Sequence, residues 1–236
     1  MVVQWIRTGW PQLLDLFFPN VCLLCQTGLE TGEEIVCTGC RLKLPETLLH
    51  RTPDDPFLMN RFAGKVPVAF VYAYVYFQKK GPVQKLIHAL KYKQRQDVGL
   101  ALGRWYGKQL KEEAGIAVES DVIVPVPLHP ARYQQRGYNQ ADCFAQGLAE
   151  ALEIPYRVDL LKRTKKTESQ TRKDRMQRWE NVGSVFAIED RGAIENLRIL
   201  LVDDVLTTGA TLEACAEVLL QAGCQSVGIL TIAAAR

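Results

Sequence analysis

Two sets of residues in this chain have the types and the spacing to do chemistry. The first is Cys22, Cys25, Cys37 and Cys40, two Cys-x2-Cys pairs separated by eleven residues. Each pair presents two thiolates to one ion, and a turn between them brings the pairs together, which is a four-thiolate zinc pattern. Four thiolates leave no open coordination position, so the expected zinc is structural. A redox Cys-x-x-Cys would sit at a helix start after a strand, a context that Cys22-Leu23-Leu24-Cys25 lacks. The second set lies in residues 199–211, ILLVDDVLTTGAT. An apolar run leads into Asp203 and Asp204, then into a small, hydroxyl-rich loop that opens a helix. Thr207, Thr208, Gly209 and Thr211 offer hydroxyls and backbone N–H groups at a helix N-terminus, which suits a phosphate monoester. The two acids would repel a phosphate and should face neutral hydroxyls or a divalent metal. A sugar phosphate satisfies both requirements.

A second loop belongs on the same rim. Residues 122–140 read VIVPVPLHPARYQQRGYNQ, in which Pro125 and Pro127 stop a short strand and leave a loop at its carboxyl end. Arg132 and Arg136 follow, both suited to bidentate phosphate contacts, with a solvated helix-entry face as the plainer alternative. His129 could donate to a phosphate group or be a plain surface-loop residue, and the plain reading is the one expected of it, of His88 on its helix and of His50. Residues 162–180 are basic, with Lys162, Arg163, Lys165, Lys166, Arg172, Lys173, Arg175 and Arg178 against Glu168, Asp174 and Glu180.

The elements that must position these groups can be read from the apolar pattern. Residues 1–20 pattern as an amphipathic helix, either packed on the cysteine module or touching a membrane surface. Val66, Val68, Phe70, Tyr72, Tyr74 and Tyr76 alternate as in a strand. Helices are predicted from Pro82 with Val83, Leu86, Ile87 and Leu90 inward, and over 98–110. A strand at 122–124 is followed by a helix N-capped by Asn139. A short strand is expected at 156–161. The run 199–202 reads as a parallel strand buried on both faces. A helix over 211–222 ends at Gly223, and a last strand spans 227–233. Alternating strands and helices indicate an α/β domain over 66–236. Before it come the N-terminal helix and zinc-ribbon-like module, 1–50, and a linker at 51–65 containing Pro53 and Pro56.

Composition narrows the class. The chain has 236 residues, 29 Lys and Arg against 26 Asp and Glu, and 47% hydrophobic residues. That apolar fraction excludes a disordered chain, and a net charge of +3 excludes a bulk polycation. No apolar run approaches the roughly 18 residues of a membrane span. Residues 13–18 are too short and too interrupted for a secretory signal, so a reducing cytoplasmic location is expected and paired cysteines should mean metal. Cys143, Cys215 and Cys224 are expected as small core residues.

The motif VDDVLTTGAT resembles the phosphoribosyl-diphosphate (PRPP) motif of type I phosphoribosyltransferases. That resemblance implies a Rossmann-type parallel sheet flanked by helices. It implies that Thr207, Thr208, Gly209, Ala210 and Thr211 hold the 5′-phosphate and that Asp203 and Asp204 are the catalytic acids at the ribose. Val126, Pro127 and Leu128, with Arg132 and Arg136, would hold the pyrophosphate and its Mg²⁺. The basic stretch corresponds to the flexible loop that closes over PRPP, with Lys165, Lys166 and Arg175 as its candidates. A solvated surface loop, or a nucleic-acid patch with Trp179 and Tyr156 as stacking partners, explains the same residues. Lys91 or Tyr92 would line the hood over the acceptor.

A four-cysteine module joined to a PRPP motif resembles the ComF family of bacterial competence proteins. The residues carrying this likeness are 18–22, 86–92, 136–141 and 170–181, although this chain is more basic than many members at 171–176. The family is linked to natural transformation, to incoming single-stranded DNA and to use of DNA as a nutrient. The resemblance thus implies competence or DNA-processing partners, and it leaves a homodimer open. Two functions follow. One is Mg²⁺-dependent phosphoribosyl transfer to an unidentified acceptor; the other is PRPP sensing or single-stranded-DNA binding without turnover. Glutamine-dependent amide transfer is not expected, because Cys22 belongs to the metal set.

Overall fold

The structure, a computed structural model, describes residues 20–52, 55–113, 119–164 and 185–235. The expected N-terminal helix, Lys165, Lys166, Arg175, Trp179 and the rest of the basic stretch beyond Thr164 lie outside the described residues. The chain divides into two compact units, Met1–Leu44 and Pro45–Arg236.

In the first unit, an antiparallel bridge joins Val21 to Gly28, and the chain turns tightly where Gln26 takes a positive φ of 65°. A single helical turn, α1 (Thr38–Arg41), follows Cys37. Glu33 braces it by accepting hydrogen bonds from Thr38 N at 2.6 Å and Thr38 Oγ1 at 2.8 Å. The apolar content is small: Cys22, Ile35, Val36 and Leu44 are its buried hydrophobic members among the described residues.

The second unit is built on four parallel strands. In chain order its elements are α2 (Pro56–Met59), β1 (Phe70–Phe77), α3 (Pro82–Tyr92), α4 (Gln96–Glu112), β2 (Val122–Pro125), α5 (Pro130–Arg136), α6 (Gln140–Leu152), β3 (Lys162–Arg163), β4 (Phe186–Ala187), β5 (Arg198–Leu206), α7 (Ala210–Gln221) and β6 (Ser226–Ala235). The sheet order is β1-β6-β5-β2, and β3 pairs separately with β4. Ile199, Leu200, Leu201 and Val202 have no exposed surface, as the continuous apolar run requires of a strand covered on both faces. β1 is also more buried than alternation predicts, with every residue from Val71 to Val75 inside. Its outer edge is closed by hydrogen bonds from Thr47 N to Tyr74 O and from Tyr76 N to Pro45 O, which leaves fewer edge groups open to aggregation.

Three expectations change. Residues 156–161 do not form a strand: Tyr156 makes an isolated bridge to Ile123, and the chain then bends so that the adjacent Leu160 and Leu161 are both buried. The stretch expected as a linker carries α2, N-capped by Asp55, and buries Leu58 and Phe62 at 1% exposure each. The strand at 199–202 is longer than its apolar run. β5 continues to Leu206 because Asp203, Val205 and Leu206 stay in register with Thr231, Ala233 and Ala234 of β6. Asp203 and Asp204 therefore sit on a strand and not in a loop.

Helices α4 and α6 approach closely enough to need glycine. A Cβ on Gly147 would lie 2.1 Å from Leu100 O, and one on Gly103 would lie 2.4 Å from Phe144 O. Backbone cannot yield there as a flexible side chain would, so Gly147→Ala is expected to destabilise the unit by about 3 kcal/mol. Denaturant unfolding would show a lower midpoint at unchanged slope; a loss below about 0.5 kcal/mol would refute the close crossing.

Asp121 joins the starts of β2 and β5. It accepts from Arg198 N at 2.8 Å and pairs with Arg198 Nη2 at 2.8 Å. Its hydrogen bonds with the Arg198 side chain, and then with the backbone, hold the carboxyl down at about 2. A depressed acid contributes stability above its unfolded pKa and loses it as pH falls toward the folded value. Between about pH 4 and pH 2, Asp121→Asn should therefore lose less stability than the wild type. Identical acid-unfolding curves would exclude this coupling.

Candidate functional site

Parallel strands place all their carboxyl ends on one edge of the sheet, and in this unit that edge is concave. A cavity of about 720 Å³ reaches Phe77 at the end of β1, Val126 just past β2, Asp203 and Asp204 on β5, and Ala235 at the end of β6. The loop after β5 contributes Thr207 to it, and the first turn of α7 contributes Thr211. Thr207, Thr208, Gly209, Ala210 and Thr211 also line a smaller adjoining hollow of about 40 Å³ at the start of α7. The two loops expected on one rim are thus in one place.

Each feature of the α7 entry has a local cause. Gly209 is the N-cap residue with φ of 88°, a conformation that favours glycine. A Cβ there would also lie 3.2 Å from the Phe62 ring. Thr208 Oγ1 accepts from Ala210 N at 3.4 Å. On the opposite loop, Val126 N donates to Val202 O at 2.9 Å, continuing the β2–β5 ladder one residue past the strand. Asn139 Nδ2 donates to Val126 O at 2.9 Å while its Oδ1 caps α6 by accepting from Ala141 N. Asn139 thus ties the loop to the helix that it caps.

The acids differ in their surroundings. Asp204 Oδ2 lies 2.8 Å from Lys91 Nζ of α3, and both side chains are largely covered. Asp203 Oδ1 accepts from Asp204 N at 2.7 Å. Burial, then the neighbouring Asp204 charge, raises the Asp203 carboxyl to about 7. One acid of the pair is thus matched by a lysine, and the other resists ionisation.

Pro127, Leu128, Arg132 and Arg136 all line the cavity, as does Arg163 on β3. Arg136 Nη1 donates to Gln140 Oε1 at 2.6 Å, and its guanidinium lies 5.3 Å from the Tyr92 ring centroid. Among the described residues, the Nε groups of Arg136 and Arg163 are buried without a hydrogen-bond partner. Lys79, Gln84, Ile87, His88 and Tyr92 line the same cavity. The His88 and Tyr92 rings are 5.0 Å apart, and Tyr92 is 60% exposed.

Of the histidines, His129 Nδ1 accepts from Ala131 N and caps α5, a local structural role. His50 is buried with Nε2 2.6 Å from Glu113 Oε2. His88 departs from expectation by lining the cavity, because residue 88 follows Gln84 and precedes Tyr92 by one turn each on the same face of α3. Sequence reading missed Arg61 and placed Arg163 only within a basic stretch, not in the cleft. Arg61 donates to the carbonyls of Leu206, Thr207 and Ala235, long-range partners that no local pattern announces.

In the first unit, the ligand atoms of Cys22, Cys25, Cys37 and Cys40 all lie within 4.8 Å of one another, and the Cys25 and Cys37 sulfurs are 3.6 Å apart. Tetrahedral Zn–S bonds of about 2.3 Å place sulfurs about 3.8 Å apart, so the cluster could hold a zinc ion. Hydrogen bonding by Thr27 brings the Cys25 thiol down to about 6. Burial and the neighbouring thiols push Cys40 up to about 12. Cys143, Cys215 and Cys224 are buried, in keeping with their reading as core residues. No helix among the described residues is long and apolar enough to cross a membrane.

Comparison with known proteins agrees with this architecture. The phosphoribosyl transferase domain model matches residues 140–236. The DNA utilization protein YhgH of Escherichia coli K12 is 28% identical over 233 residues, which take in 91% of this chain and 96% of that protein. Competence protein F of Haemophilus influenzae is 35% identical over 116 residues, 49% of this chain and 51% of that protein. Competence protein ComFC of Bacillus subtilis is 37% identical over 102 residues, 43% of this chain and 39% of that protein. A phosphoribosyl transferase domain behind a four-cysteine cluster, together with relatives of these names, supports a ComF-family protein.

Proposed function

We propose that this protein binds PRPP in the cleft of its second unit and transfers the phosphoribosyl group to an acceptor, in the service of DNA use or uptake. The observation that carries this reading is the meeting, in one cavity, of a hydroxyl-rich helix entry, two adjacent acids and two arginines. Each part suits one part of PRPP. Thr207 to Thr211, with the positive end of α7, would take the 5′-phosphate. Asp203 and Asp204 would accept from the ribose hydroxyls and stabilise positive charge developing on the ribose as the pyrophosphate leaves. Arg132 and Arg136, beside the loop of Val126, Pro127 and Leu128, would hold the pyrophosphate. Mg²⁺, when bound there, would offset charge on the leaving group. Arg163 adds a third arginine to the same cavity.

Zinc in the four-cysteine cluster would be structural, since all four positions are taken by thiolates. The names of the relatives, DNA utilization and competence proteins, support a role with DNA and leave single-stranded DNA as the partner to test. A pyrophosphate-release assay with PRPP, Mg²⁺ and a panel of bases, amines and single-stranded DNA tests the proposal. Acceptor-dependent release supports transfer. Tight PRPP binding with no release for any acceptor would assign the cleft to sensing. Absence of PRPP binding at millimolar concentration would overturn the reading.

A further inference from the structure

We propose that Arg61 is a positioning residue that aims the backbone N–H groups of Thr207 and Thr208 at the bound phosphate, an inference that rests on the PRPP reading above. The observation is a single guanidinium shared by three carbonyls. Arg61 Nη1 donates to Leu206 O at 3.3 Å and to Thr207 O, and Nη2 donates to Ala235 O. Leu206 ends β5 and Ala235 ends β6, so one side chain binds two neighbouring strand ends and the first peptides of the loop.

The consequence follows from peptide geometry. In a planar trans peptide, the C=O of one residue and the N–H of the next point in opposite directions, and no described peptide here is cis. With the carbonyls of Leu206 and Thr207 held toward Arg61, the N–H groups of Thr207 and Thr208 are turned away from it. Thr207 and Thr208 line the small hollow at the α7 entry, and Arg61 lines neither that hollow nor the larger cavity. Arg61 therefore stands behind the loop and not in the pocket. Successive N–H groups directed to one side form an anion-binding concavity, and a cation behind the loop strengthens the field in the same sense.

Neighbours of Arg61 support the same loop. The Phe62 ring packs where a Gly209 side chain would begin, and Lys65 Nζ lies 3.3 Å from Glu213 Oε2 in the first turn of α7. The Arg61 guanidinium is itself placed 5.7 Å from the Phe57 ring centroid. Residues 57–65 thus form a bracket on the outer side of the α7 entry. Lysine cannot replace Arg61 fully, because an ammonium lacks the planar fork that reaches several acceptors at fixed angles.

The test compares two probes on the full chain by calorimetry: ribose 5-phosphate for the loop and magnesium pyrophosphate for the arginine side. In Arg61→Ala, ribose 5-phosphate should bind at least about tenfold more weakly, with pyrophosphate affinity within about twofold of wild type. Arg61→Lys should fall between, and it serves as the variant to read if Arg61→Ala fails to fold. In the free protein, hydrogen exchange of peptides covering 206–209 should rise in both variants while β2 peptides stay protected. Equal loss of both ligands, or unchanged binding and exchange, would overturn the inference and leave the PRPP reading intact. Failure of the wild type to bind either probe or PRPP would instead overturn that reading, and this inference with it.

Discussion

Asp204→Asn should leave a folded protein whose affinity for PRPP with Mg²⁺ is at least about tenfold lower than that of the wild type. Asparagine has nearly the same shape and keeps one acceptor oxygen, so the substitution tests charge and not packing. In the free protein the Asp204 carboxylate pairs with Lys91 at 2.8 Å, with side chains 15% and 22% exposed. Removing that charge leaves Lys91 as an added, unbalanced cation near the ribose site and deprives the ribose hydroxyls of an anionic acceptor. The cost to folding should be about 1 kcal/mol, since asparagine keeps the shape of the side chain and one hydrogen-bond acceptor for Lys91. Titration calorimetry reads the affinity and thermal denaturation reads the stability. PRPP affinity within twofold of wild type would remove Asp204 from the ribose site. A collapse of the melting transition would show that the residue is primarily structural.

Cys37→Ser should take the zinc content from one ion per chain to none, with loss of ordered structure in the unit Met1–Leu44. The expectation rests on how little else holds that unit together. Its buried hydrophobic residues, among those described, are Cys22, Ile35, Val36 and Leu44, far fewer than a domain folding on a hydrophobic core alone requires. Structural zinc supplies about 10–16 kcal/mol in comparable small folds. A serine hydroxyl in place of one thiolate gives up most of that, because it is a poor zinc ligand at neutral pH. The unit Pro45–Arg236 carries its own sheet and core and should keep a cooperative unfolding transition. Elemental analysis of chelator-free protein reads the metal, and limited proteolysis reads the order of the module. Full zinc retention in the variant, or wild-type protein with no zinc, would refute the assignment.

The sequence alone determined what depends on neighbours along the chain. Cys-x2-Cys spacing is a local property, and the four sulfurs do converge. The apolar run at 199–202 and Gly223 beyond α7 are likewise local signals, and each lies where that signal puts it. Parallel pairing was legible too, because strands alternating with amphipathic helices have few other ways to bury both faces of a sheet. That logic places the loops after β2 and β5 on one rim, and so brings Arg132, Arg136, Asp203, Asp204, Thr207 and Thr211 together.

What tertiary structure decided was whatever depended on partners distant in sequence. β5 runs through the acids because β6 supplies a ladder as far as Ala234; hydropathy ends at Val202, but backbone hydrogen bonding does not. Residues 51–65 look like a linker because proline and acidic residues crowd their start. Their role comes from Arg61 and Phe62, whose partners lie at 206, 207, 209 and 235. The need for glycine at 103 and 147 exists only because α4 and α6 press backbone on backbone. His88 and Lys91 reach the cleft because α3 packs with that face over the ends of the strands, a matter of helix rotation in the assembled core. Periodicity names the residues that share a helix face, whereas only the packed fold decides which acid, loop or cavity that face meets.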